Sequence, residues 1–176
     1  EFRGYGASDG QPAFATLTAD AREAVAQAHV LLNERGFTGE RFVMGRSMGA
    51  HSALEIAANA PDRIRGMILE SGAGNLGRLI ERFGIDGDAA EALIAAHEAK
   101  IRSIRMPALL IHGEVDELIP VALAEEMRAM LAGTNAELLV IPGAGHNDII
   151  WRGHREYFAA IARFVEEAVT GRPTPG

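Results

Sequence analysis

Four short stretches of nearly unbroken apolar residues recur along this chain, at Arg41 to Gly45, Gly66 to Glu70, Ala108 to His112 and Ala136 to Ile141. A strand that faces water on one side alternates apolar and polar residues. Runs without alternation read as strands buried on both faces, the pattern of a parallel sheet covered by helices. Helical periodicity fills the intervals. Thr18 to Arg35 carries Ala21, Val25, Ala28 and Leu32 on one face, with Thr18 or Asp20 as cap and Gly36 as terminator. Further helices are expected at about Met48 to Ala60, Pro120 to Leu131 and Gly153 to Val169. Between the second and third strands, residues 72–106 form a short helical insert with one pattern around Leu76 to Phe83 and another around Ala89 to Ile104. The glycine-rich opening EFRGYGASDG reads as loop, and residues 171–176 as a flexible tail. The expected fold class is α/β, a mainly parallel sheet flanked by helices, in one domain over residues 1–176.

Bulk properties remove several function classes. The formal charge of −7 opposes a nucleic-acid partner, which needs a basic face. No apolar run reaches the roughly 20 residues of a membrane span. With no cysteine there is neither a disulfide framework nor a thiol nucleophile, and this, with no visible signal peptide, points to the cytoplasm. The six histidines form no HxH or HExxH cluster, so no metal is expected.

In parallel α/β sheets the chemistry gathers at the carboxyl ends of the strands. After the first run stands Gly45-Arg46-Ser47-Met48-Gly49, a Gly-x-Ser-x-Gly turn from strand into helix. Flanking glycines leave room for a strained turn that lifts the serine hydroxyl above the sheet, beside backbone N–H groups of the helix terminus. The plainer reading is a serine that caps the helix. After the third run comes His112-Gly113-Glu114-Val115-Asp116-Glu117-Leu118-Ile119-Pro120, and after the fourth Pro142-Gly143-Ala144-Gly145-His146-Asn147-Asp148. Serine needs a base to become a nucleophile near neutral pH, and histidine has the matching pKa. The histidine in turn needs a carboxylate to fix its tautomer. Serine, acid and histidine thus follow three parallel strands.

With these motifs the chain resembles the α/β-hydrolase superfamily, in particular bacterial serine hydrolases with an RGYGxSxG segment (here Arg3 to Gly10), a GRSxG elbow, HGxxDxxxP and PGxGH. The resemblance runs from Phe2 to about Val169. It implies Ser47 as nucleophile, Asp116 as acid and His146 as base, with the Met48 N–H as one oxyanion donor and no cofactor. Glu114 and Glu117 flank Asp116, and Glu70 ends a strand where some relatives keep their acid. His51 lies one helical turn beyond Ser47, poorly placed to reach its hydroxyl. His29, His97 and His154 sit in helical patterns as surface or packing residues, and His112 at a strand end reads as structural. Arg46 and Arg3 either touch substrate or pair with a local carboxylate.

Relatives carry several strands and an oxyanion loop ahead of the RGYG segment. The chain therefore reads as a minimal or N-terminally truncated hydrolase core, either a fragment or a shortened enzyme. The Tyr5 hydroxyl or a loop glycine is the candidate replacement donor. The first strand is expected to be an exposed edge that pairs with a second copy, giving a homo-oligomer. Leu76, Leu79, Ile80, Phe83, Ile85, Leu93 and Ile94 either cover the sheet or line a small apolar acyl pocket. The implied activity is hydrolysis of small-molecule esters with short or medium acyl or aryl groups. Thioesterase, peptidase, acyltransferase and non-catalytic scaffold remain alternatives.

Overall fold

The computed structural model describes residues 3, 4, 6–11, 14–72, 74–77, 80 and 86–171, except the side chains of 14 and 15. Helix α1 spans Phe14–Glu34, strand β1 Phe42–Arg46, α2 Gly49–Asn59, β2 Gly66–Glu70, α3 Gly87–Ser103 and β3 Ala108–Gly113. These are followed by α4 Val121–Met130, β4 Ala136–Ile141, a single turn α5 Ile149–Arg152 and α6 His154–Thr170. The four strands form one parallel sheet in the order β1-β2-β3-β4. Chain order and spatial order coincide, so all four carboxyl ends share one rim.

Alternation within the strands divides the core in two. Met67, Leu69, Ala108 and Leu110 face one layer together with Ala50, Ala53 and Leu54 of α2, Ile101 of α3 and Met127 of α4. Ile68, Leu109 and Ile111 face the other, against Tyr157, Ala160 and Phe164 of α6. Every residue of β2 and β3 is buried, as expected for a sheet covered on both faces. The edge strands differ. Five of six β4 residues are only partly buried, and in β1 Met44 is 47% exposed while its register partner Ile68 is 4% exposed.

Helix α1 begins a turn earlier than its sequence suggests. Thr18 and Asp20 lie inside it, and Asp20 holds Arg3 (2.6 Å) instead of capping. This pins the opening loop, in which Gly4, Gly6 and Gly10 all take positive φ, to α1. The α5 turn was not expected. At the far end Gly171, φ 67°, closes α6 in the left-handed conformation. Of the insert, Leu76 and Ile80 are buried, Leu93 is exposed, and Leu79, Phe83 and Ile85 lie outside the described residues. Ile101 and Ile104, at the end of α3, join the core. No described helix is long and apolar enough to cross a membrane.

The α2–α3 contact is polar at its centre. His51 and His97 stack with ring centroids 5.3 Å apart. Beside them the buried Glu55 receives Lys100 and, at 3.5 Å, Arg22. Burial first, then each other's charge and that of Lys100, bring the His51 pKa down to about 4; burial and Lys100 do the same for His97. Both rings stay neutral in the folded state where the unfolded chain, at about 6.5, takes up protons. Stability contributed here is constant above pH 6.5 and declines as the pH falls towards 4. Urea melts at pH 7.5 and pH 5 should show this loss, and a His51→Gln/His97→Gln variant should lose less over the same interval. An equal loss in both proteins would refute the assignment.

The edge position of β1 generates a second expectation. Pairing of two copies through this strand should give a dimer in light scattering at micromolar concentration, and Met44→Lys should shift it to monomer. A wild-type chain that stays monomeric at high concentration would reject it.

Candidate active site

Ser47 directly follows β1 with φ 53°, one of two described non-glycine residues with positive φ. Such a conformation costs on the order of 1–3 kcal/mol and persists only where the surroundings impose it. They do so here through backbone contacts. The Ser47 N–H donates to the Glu70 carbonyl (2.8 Å), and the Ser47 carbonyl accepts the N–H of Ala50 (3.0 Å), which starts α2. A Cβ at Gly45 would lie 2.4 Å from the Gly49 carbonyl oxygen and 2.8 Å from Ala53 Cβ, so residue 45 must be glycine for the helix to fold back this closely. The expectation that both flanking glycines avoid a clash holds for Gly45 alone. A Cβ at Gly49 meets nothing within 4 Å among the described residues.

The acid and histidine loops meet this turn from the neighbouring strands. Gly113 ends β3 where a Cβ would lie 2.4 Å from the Ala144 carbonyl oxygen, so the two loops pack backbone to backbone. The Glu114 carboxylate accepts the Gly143 N–H (2.8 Å), and the Ala144 carbonyl accepts the Val115 N–H (2.9 Å). Asp116, 5% exposed, receives the N–H groups of Leu118 (3.0 Å) and Ile119 (2.8 Å) on Oδ1. Its Oδ2 lies 2.8 Å from His146 Nδ1. His146 Nε2 lies 3.0 Å from Ser47 Oγ. These partners define the tautomer. Nδ1–H donates to the carboxylate, and Nε2 is left to accept the serine hydroxyl.

The remaining sequence candidates fall elsewhere. Glu114 is committed to Gly143, and Glu117 is exposed. The Glu70 carboxylate faces Arg46 Nε (2.9 Å) and the Tyr157 hydroxyl (2.6 Å), not His146. His112 Nε2–H donates to the Ile119 carbonyl (2.7 Å), bracing the Asp116 loop from below. His51 and His97 are buried against one another, and His154 stacks on Phe158. Met48 occupies the N-cap position of α2 with its side chain 48% exposed, so its backbone N–H stands beside Ser47 at a helix N-terminus. Tyr5 lies outside the described residues. Arg46, expected either to touch substrate or to pair with a local carboxylate, makes the carboxylate pair with Glu70. Besides Glu70 its guanidinium donates through Nη2 to the His146 carbonyl (2.7 Å) and to Asn147 Oδ1 (2.8 Å). A guanidinium beside a buried carboxylate is drawn to it before any substrate. Sequence reasoning missed Tyr157 and Asn147 in this network. Nothing in a helical tyrosine's spacing signals a carboxylate 87 positions away.

Two family models match. Residues 1–85 fit the serine aminopeptidase S33 model and residues 91–173 the TAP-like protein model. The structure also superposes on the Pyrococcus furiosus esterase Pf2001 with a TM-score of 0.73, at 24% identity over 95% of this chain and 68% of that one. The chain belongs to the α/β-hydrolase superfamily. A thermophilic esterase from Thermogutta terrifontis shares the fold at a TM-score of 0.67 and 21% identity, over 96% of this chain and 80% of that one. Among curated relatives, an uncharacterized protein of Mycobacterium tuberculosis is 30% identical over 98% of this chain and 60% of its own length. Protein bem46 of Schizosaccharomyces pombe is 27% identical over 94% of this chain and 56% of its own length. The chain thus spans somewhat over half of the curated relatives it matches.

The turn makes an asymmetric demand on its two glycines. Gly45→Ala should destabilise by about 1–3 kcal/mol through overpacking, whereas Gly49→Ala should stay within about 0.5 kcal/mol. Denaturant melts measure both, and equal effects would contradict the close approach at Gly45.

Proposed function

We propose that this α/β hydrolase cleaves carboxylic esters through an acyl-enzyme on Ser47. The observation that carries the reading is the continuous hydrogen-bonded line from Ser47 Oγ through His146 to the buried Asp116. Ser47 Oγ attacks the ester carbonyl while His146 Nε2 takes its proton. Asp116 keeps the ring oriented and stabilises its charged form. The tetrahedral oxyanion turns to the Met48 N–H at the start of α2. The imidazolium returns its proton to the leaving alcohol. Water, deprotonated by the same ring, then releases the acid and restores Ser47. No step calls for a cofactor.

The substrate class follows from the leaving group. Activated aryl esters carry better leaving groups than amides and are the substrates such a serine and histidine open most readily. Leu76 and Ile80 of the insert are buried and apolar, and the acyl groups of this reading are short or medium in length. The partner is a small-molecule ester, with a second copy of the chain at β1.

Hydrolysis of p-nitrophenyl acetate and butyrate tests this. Ser47→Ala should lower kcat by about 10,000-fold or more, and Asp116→Asn by about 1000- to 10,000-fold. Equal turnover by wild type and Ser47→Ala would remove Ser47 from the chemistry.

A further inference from the structure

The side chain next to the proposed nucleophile reaches the backbone of the proposed base. Arg46 precedes Ser47 in the chain, and its Nη2 donates to the carbonyl oxygen of His146 itself (2.7 Å) and to Oδ1 of Asn147 (2.8 Å). Its Nε donates to Glu70 Oε1 (2.9 Å). Glu70 is 3% exposed, and its other oxygen accepts the buried hydroxyl of Tyr157 (2.6 Å). The same residue also receives the Ser47 N–H on its main-chain carbonyl (2.8 Å). Glu70 therefore grips the serine through its backbone and the histidine loop through Arg46. The α6 hydroxyl fixes the direction of its carboxylate.

Geometry gives this arrangement a purpose that packing alone does not require. The histidine loop follows the opposite edge strand of the sheet, β4, while Ser47 follows β1. Asp116 holds the far nitrogen of the imidazole, and the acid loop holds the histidine loop at Gly143 and Ala144, short of residue 146. The Arg46 fork adds a hold on the carbonyl of the residue whose ring must meet Ser47 Oγ. A planar guanidinium can bridge the carboxylate and two oxygens of the loop at once; a lysine ammonium at the same place lacks that fixed fork.

We propose that Arg46, oriented by Glu70 and Tyr157, is the positioning residue that holds His146 in register with Ser47 across the sheet. It touches neither the reacting oxygen nor the carbonyl under attack. This inference rests on the ester-hydrolase reading for its kinetic consequence, but the position of the imidazole can be read independently.

The test combines kinetics with imidazole NMR on Arg46→Lys and Tyr157→Phe, with Glu70→Gln/Arg46→Gln as a variant that leaves no buried charge unpaired. Thermal melts select the variants that stay folded. With p-nitrophenyl acetate, Arg46→Lys should lose about 10- to 100-fold in kcat, the scale of small misplacements at a reacting centre, with KM changed less than about threefold. In the wild type, the His146 ring nitrogens, assigned by their loss in His146→Gln, should report a single tautomer protonated at Nδ1. Arg46→Lys and the double variant should broaden or split these signals. Tyr157→Phe should shift them in the same direction and be non-additive with Arg46→Lys, because both act through Glu70. Unchanged kcat and unchanged His146 signals in a folded Arg46→Lys protein would overturn the proposal. Absence of Ser47-dependent turnover in the wild type, with the NMR changes present, would discard the hydrolase reading and leave the positioning role standing.

Discussion

Strands hydrogen-bonded in parallel and in chain order must all deliver their following loops to one rim, and the rest of this molecule is arranged around that fact. The register runs Phe42 with Gly66, Met67 with Ala108 and Ala108 with Ala136, which brings Arg46, Glu70, Gly113 and Ile141 to the carboxyl-terminal side. A serine, a carboxylate and an imidazole spread over about a hundred positions of sequence become neighbours there. Antiparallel pairing of any one strand would send its loop to the opposite side and leave the other two without a partner.

Backbone proximity does the fine adjustment. Gly45 lets α2 turn back over β1, Gly72 meets Ala50 where a Cβ would lie 2.5 Å from the alanine Cβ, and Gly113 lets the acid loop lie on the histidine loop. Each glycine stands where two segments approach more closely than side chains allow. The strain of Ser47 at φ 53° is held by hydrogen bonds from its N–H to the Glu70 carbonyl and from the Ala50 N–H to its carbonyl, which connect β1, β2 and α2. Ser71, φ 48°, repeats the conformation after β2 and donates its N–H to Ile111.

Two polar clusters lie on the two faces of the sheet, each built around buried residues, and they differ in kind. Arg46, Glu70 and Tyr157 form a network with every member bonded, and burial with the Glu70 contact drives the tyrosine pKa upwards. His51 and His97 instead remain neutral by exclusion from water and by the nearby Lys100. The first kind specifies a geometry; the second leaves a helix contact that weakens in acid.

The sequence by itself determined the strand positions, the order of serine, acid and histidine, and a glycine-flanked turn at Ser47, while the structure assigned the close approach to Gly45 alone. These are local properties: apolar runs set strands, and the Gly-x-Ser-x-Gly spacing sets a turn. It also led to Asp116 over Glu114, Glu117 and Glu70 only through resemblance, since all four carboxylates stand at strand ends. The tertiary structure separated them. Only Asp116 is buried within reach of His146, while Glu70 faces Arg46 and Tyr157. The same contacts give Arg46 a carboxylate partner, one of the two readings its sequence position allows. An arginine beside a serine reads the same in the linear chain whether its fork meets a ligand or a carboxylate brought in by the next strand. That choice depends on long-range pairing, which residue spacing does not encode.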